Sequence, residues 1–203
     1  MKNIICTLFL FIISQIGICQ EELENCFRID NFTIEQRNQK YPYDKAAKII
    51  FASFEDKSTK LKLFENNKLN KNGYTSYFQG EIMKIYFDSL RKDKSKYIPE
   101  LFEEKIELLE IQKNELTDLI YNFGNNHKDA IMWGAKCYMP RNAILFFDKN
   151  NQLFEFIEIC FECNQYKTSS TKVDLNNNCG QKISLLKDLF EQAGIEYGIK
   201  KQL

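Results

Sequence analysis

The sequence predicts an α+β domain, an antiparallel sheet of four or five strands with helices packed on one face. Three observations carry this. Residues 46–54, 130–138, 143–148 and 153–161 are short blocks rich in apolar, aromatic and branched side chains, which read as strands. Over 74–90, 111–123 and 180–193 the apolar residues instead recur at spacings of three and four, which read as helices. Between the last two strand blocks stands Asp148-Lys149-Asn150-Asn151-Gln152, a turn sequence, so those blocks pair as an antiparallel hairpin.

The elements follow in chain order. Residues 1–19 have the three zones of a secretory signal: a charged tip at Lys2, an apolar run from Ile4 to Ile13, and a looser end closing on Gly17-Ile18-Cys19. Gly17 and Cys19 are small enough for signal peptidase, so the expected mature terminus is Gln20. The apolar run is too short for a comfortable membrane span, and no basic stop-transfer cluster follows. A lipid anchor on Cys19 is the weaker alternative, because Ile18 is branched where a lipoprotein signal wants a small residue. The mature protein is therefore expected to be secreted or periplasmic, with no membrane span.

Residues 20–203 read as a single α+β domain, its regular elements lying between 45 and 198. Residues 26–44 mix polar and aromatic side chains without period and read as an irregular or partly extended lead-in. The block at 46–54 carries Ile49, Ile50, Phe51 and Phe54 and reads as a buried strand; 55–73 is polar and reads as an exposed excursion. In the first helix Phe78, Ile82, Ile85, Tyr86 and Leu90 share a face. In the second, Ile111, Leu116, Leu119, Ile120 and Phe123 do so, and Gly124 reads as its stop. Pro140 bends the chain between the first two strands of the second half. The last helix turns Ile183, Leu186, Leu189 and Phe190 inward and ends at Gly194.

Composition excludes some functions. The chain holds 28 basic and 28 acidic residues, and loss of Lys2 with the leader leaves one net negative charge. Such a surface has no electrostatic reason to seek nucleic acid or an anionic membrane. Arg91-Lys92-Asp93-Lys94-Ser95-Lys96 is the richest basic run, and it is short enough to be a solvated turn or helix end. Neither a phosphate-binding P-loop nor a dinucleotide glycine motif occurs. His127 is the only histidine and sits in a polar loop, which leaves a catalytic triad or a two-histidine zinc site without partners. Trp133 reads as core. Glu155 and Glu158 fall on opposite faces of one strand, so they read as solvated positions rather than as a catalytic pair.

The cysteines are the most informative residues. Cys6 and Cys19 lie in the leader; Cys26, Cys137, Cys160, Cys163 and Cys179 remain. With the hairpin centred on Asn150 and Asn151, Cys160 lies across from about Arg141, so Cys137, Cys160 and Cys163 gather at one sheet end, and a modest loop brings Cys179. Outside the cytoplasm two disulfides within this group are the default, in any of three connectivities. No cofactor is then required. A zinc ion on the same four thiolates is the alternative, since Cys160-Phe161-Glu162-Cys163 is an adequate metal knuckle. A thiol oxidoreductase is weaker, because its reactive cysteine should open a helix, and Cys160 closes a strand. Only Cys179 precedes a helix, so it is the thiol expected to be most acidic. Arg141, fixed by Pro140 at the same sheet end, is a candidate for binding a carboxylate or phosphate, or for capping carbonyls.

The run Cys137-Tyr138-Met139-Pro140-Arg141-Asn142-Ala143, with Ile159-Cys160-Phe161-Glu162-Cys163 and Cys179, resembles a family of uncharacterised secreted proteins and lipoproteins of Gram-negative bacteria. The similarity covers roughly residues 105–198. It implies that Cys137, Pro140, Arg141, Cys160, Cys163 and Cys179 belong together, and it brings no activity. The expected function is that of an exported structural or binding protein, with an unspecified protein or small-molecule partner.

Overall fold

A computed structural model describes residues 25–55, 82–125, 138–176 and 179–200. The elements in order are β1 (Phe27–Arg28), α1 (Ile34–Asn38), β2 (Lys48–Ser53), α2 (Ile82–Lys92), β3 (Glu104–Glu107), α3 (Glu110–Asn122), β4 (Phe123–Gly124), β5 (Asn142–Phe147), β6 (Leu153–Cys160), β7 (Gln165–Thr168) and α4 (Lys182–Ala193). Five strands form one antiparallel sheet in the order β3-β2-β5-β6-β7, and β1 pairs with β4 in a separate two-stranded ribbon. The molecule is α+β, as its sequence predicts.

The hairpin forms where the turn sequence places it. Asp148 accepts the backbone N–H groups of Asn150 and Gln152 at 2.9 Å each, and Asn151 takes a left-handed backbone, φ 58°. Such side-chain acceptance is what makes Asp and Asn turn formers. Asn142 pairs with Ile159, so Arg141 comes opposite Cys160 as the sequence implied.

The strand burial departs from simple alternation. All six residues of β5, Asn142-Ala143-Ile144-Leu145-Phe146-Phe147, are buried, because both sheet faces are covered. On one face Ile49, Phe51, Ile144, Phe146, Ile157 and Ile159 meet residues of α3 and α4, with the Phe51 and Phe190 rings stacked 3.8 Å apart. On the other, Ile50, Ala52, Leu145, Phe147 and Phe156 meet Met83, Tyr86, Phe87 and Leu90 of α2. The expected one-sided packing therefore describes α3 and α4, while α2 takes the opposite face. Continuous apolar strand sequence is what two-sided burial requires.

Four local expectations change. Ile111, expected on the inward face of α3, lies in its first turn and is 65% exposed, because the core contacts of that helix begin only at Leu116. Gly124 does not cap α3; the chain leaves the helix extended at Phe123, and Gly124 pairs with Phe27. Glu155 and Glu158 do point to opposite faces, but both are buried, at 4% and 2% exposure. Each is met across its face. Glu155 accepts hydroxyls from Tyr41 (2.6 Å), Ser170 (2.7 Å) and Ser169, and Glu158 pairs with Arg91 at the end of α2. The basic run 91–96 is thus partly structural. The expected strand at 130–138 falls outside the described residues except for Tyr138, as do 56–73 of the polar excursion, 74–81 of the first helix, His127 and Trp133.

Candidate functional site: the cysteine pairs and the Arg141 end of the sheet

The chain reaches Cys160 at the last residue of β6, turns through Asn164 in a left-handed conformation (φ 51°), and returns as β7. Cys163 lies within that turn and is bonded to Cys160, with Cα atoms 5.3 Å apart. Both are buried, at 1% and 3% exposure. The short bridge closes the β6–β7 connection beneath Phe161, whose ring meets Phe190 of α4 edge-on at 5.2 Å.

Cys179, fully buried just before α4, is bonded to Cys26 across 153 residues of sequence. It is consequently not an acidic free thiol. Gln181 reinforces the tie, its side chain donating to Asn25 at 2.7 Å and accepting from the Cys26 N–H at 3.4 Å. The expected grouping of four thiols is divided differently: Cys160 and Cys163 come together, while Cys179 joins Cys26. Lys182 at the start of α4 and Phe190 near Phe161 are about 12 Å apart along a helix rising 1.5 Å per residue. The two bridges are therefore at different ends of α4. Cys137 is outside the described residues. Among the described residues no three His, Cys, Asp or Glu side chains gather as a metal-binding group.

Arg141 stands at the sheet end that carries Cys160. Its N–H donates to the Ile159 carbonyl at 3.3 Å, its carbonyl accepts from Phe54 at 2.8 Å, and its guanidinium pairs with Glu162 at 2.8 Å. The carboxylate it meets is one of its own chain. The C-terminal segment closes over this end. Glu104 accepts from Ser53 (2.6 Å) and from the backbone N–H groups of Glu196 and Tyr197 (3.0 Å each), while Asn142 donates to the Tyr197 carbonyl at 3.0 Å. Gly198, at φ 74°, passes so close that a Cβ there would lie 2.6 Å from the Asn142 side chain.

Sequence reasoning missed the network that holds the lead-in. Arg37, only 5% exposed, reaches from α1 to α3, donating to Thr117 (3.2 Å) and Asn114 and pairing with Asp118 (3.2 Å). Burial raises the Asp118 carboxyl's pKa, but hydrogen bonds from Arg28 and Asn122 and the charges of Arg28 and Arg37 outweigh it and hold the group below the usual range. Lys182 is also buried, and its ammonium donates to the carbonyls of Phe123 (2.6 Å), Asn176 (2.9 Å) and Ile120 (3.2 Å). It thus occupies the negative end of α3. The one available signal was the Thr33 and Gln36 capping box that opens α1.

No protein-family model matches the chain, and neither a curated protein nor a solved structure is significantly similar to it.

Proposed function

We propose that the chain is an exported structural or binding protein whose cysteines serve as covalent staples rather than as catalysts or metal ligands. The burial of Cys160 and Cys163 carries this reading. Thiol–disulfide exchange needs a thiolate to approach one sulfur of the bridge, and sulfurs this deep offer no approach. The chain after Cys163 enters a strand, so neither cysteine stands at a helix N-terminus, the position that a reactive thiol of an oxidoreductase takes. Two bonded pairs also suit an oxidising compartment, which supports secretion or a periplasmic location after removal of residues 1–19. Among the described residues no helix is long and apolar enough to cross a membrane. The resemblance to secreted Gram-negative proteins points the same way, as does the near-neutral charge, which gives nucleic acid no purchase.

Intact mass of the exported protein tests the proposal. The expected species begins at Gln20, weighs about 4 Da less than its reduced form because each of two bridges lacks two hydrogens, and alkylates once, at Cys137, before reduction. Bound zinc with free thiols, or a retained leader, overturns it. An insulin-reduction assay on the native protein and Cys160→Ser should give no activity above background in either; activity that vanishes with Cys160 restores the oxidoreductase.

A further inference from the structure

α1 and the first turn of α3 form the walls of a cleft of about 470 Å³, within the 300–1,000 Å³ usual for small-molecule sites. Ile34 and Asn38 come from α1, and Ile111 and Asn114 from α3; Tyr43 and Ile49 are its buried residues. The walls are fixed in advance, because Arg37 spans them with the bonds to Asn114, Thr117 and Asp118 described above. A preformed site loses little entropy on binding.

Two features separate this cleft from ordinary surface. Ile34 and Ile111, one from each wall, remain 45% and 65% exposed, and two large apolar side chains left open in one cleft are the kind of surface that marks a binding site. Tyr43 is the second. Its ring is more than nine-tenths buried, packed edge-on against Tyr121 and Phe146, yet its hydroxyl has no hydrogen-bond partner among the described residues. The oxygen is not sealed from solvent, since Ser89 Oγ is the one sealed, unpaired side-chain polar atom among the described residues, so water can meet its hydrogen bond until a ligand displaces it. Burial, seconded by Tyr121, holds the phenol's pKa well above its ordinary value, so it remains a donor. Asn38 and the Asn114 amide nitrogen add further hydrogen-bonding capacity. The charged side chains of the lining, Glu110 and Lys113, neutralise each other at 2.7 Å. A charged ligand therefore finds no counter-ion.

We infer that this cleft binds an uncharged, mostly apolar small molecule bearing a carbonyl group, whose oxygen accepts a hydrogen bond from the Tyr43 hydroxyl while its body lies against Ile34, Ile49 and Ile111. The inference adds a ligand site to the binding character proposed above, and it does not depend on export or on the cysteines.

The test uses the full mature protein, its two bridges verified by mass, and the neutral aromatic ketone Prodan as probe. The expected result is saturable 1:1 binding with a blue-shifted emission. Tyr43→Phe should weaken it about three- to tenfold, the worth of one neutral hydrogen bond, at unchanged melting temperature. Ile111→Arg, at an exposed position that folding tolerates, should weaken it more than tenfold by placing a charge in the mouth. No saturable binding by the folded wild type, or wild-type affinity in either variant, overturns the inference. Because the bridges are checked independently, failure here is distinguishable from failure of the disulfide reading.

Discussion

Burying an ammonium group is costly unless its protons are met, and Lys182 meets them with three carbonyls around the end of α3. Desolvation still dominates and pushes its pKa down from 10.5 to about 8, with Asp174 opposing. The sign follows from linkage. Below pH 8 both folded and unfolded chains carry the charge, and folding bears the full desolvation cost. Between about 8 and 10.5 the folded chain releases the proton while the unfolded chain keeps it, so stability rises with pH, by at most about 3 kcal/mol. Above pH 10 the tyrosines whose pKa desolvation raises, half-buried Tyr97 and Tyr121 among them at about 12, reverse the trend, because the unfolded chain then loses phenolic protons first. Urea unfolding of wild type and Lys182→Met at pH 7 and 9.5 isolates the lysine: the difference should move in the wild type's favour at the higher pH. A pH-independent difference contradicts the assignment. Neither Lys182 nor Glu158 could be read as buried from its neighbours in sequence, because Ile120 and Phe123, which supply two of the three carbonyls on Lys182, and Arg91, which pairs with Glu158, lie about 60 or more residues away.

At the scale of elements, legibility follows contact range. The β5–β6 hairpin, its turn and the αL stop of α4 at Gly194 (φ 99°) depend on residues within a few positions, and all were readable. By contrast β1, β4 and α1 are too short to carry a period. They exist because Asn122 accepts the N–H groups of Ile29 and Phe32, and because Arg37 and the Cys26–Cys179 bridge pin the lead-in to α3 and α4. The same distinction separates the bridges energetically. Loop-closure entropy grows with the length enclosed, giving about 5 kcal/mol for the 153-residue separation and about 2 kcal/mol for the three-residue one. The double variant Cys26→Ala/Cys179→Ala should therefore lose more stability in chemical denaturation than Cys160→Ala/Cys163→Ala. Equal losses would place the stabilisation in local packing instead.

For the whole molecule, the decisive fact is that β5 and β6 send alternate residues into two cores. Phe146 and Ile157 face α3 and α4, whereas Leu145 and Phe156 face α2. Neither core can open without uncovering strands that the other needs. Phe87→Ala on one side and Phe190→Ala on the other should each cost about 3–5 kcal/mol, and each should leave a single unfolding transition with far- and near-ultraviolet circular dichroism coinciding. Separate transitions would mean that the two faces fold independently. By itself the sequence determined the α+β class, the three longer helices α2, α3 and α4, the hairpin with Arg141 opposite Cys160, and the closure of the last helix, because periodicity and turn chemistry act over a few residues. Only the tertiary structure decided which cysteines pair, that helices cover both sheet faces, and that Glu155, Glu158, Arg37 and Lys182 are buried. Those outcomes depend on which distant groups arrive to satisfy a thiol, a charge or an apolar face, and no local pattern encodes that arrival.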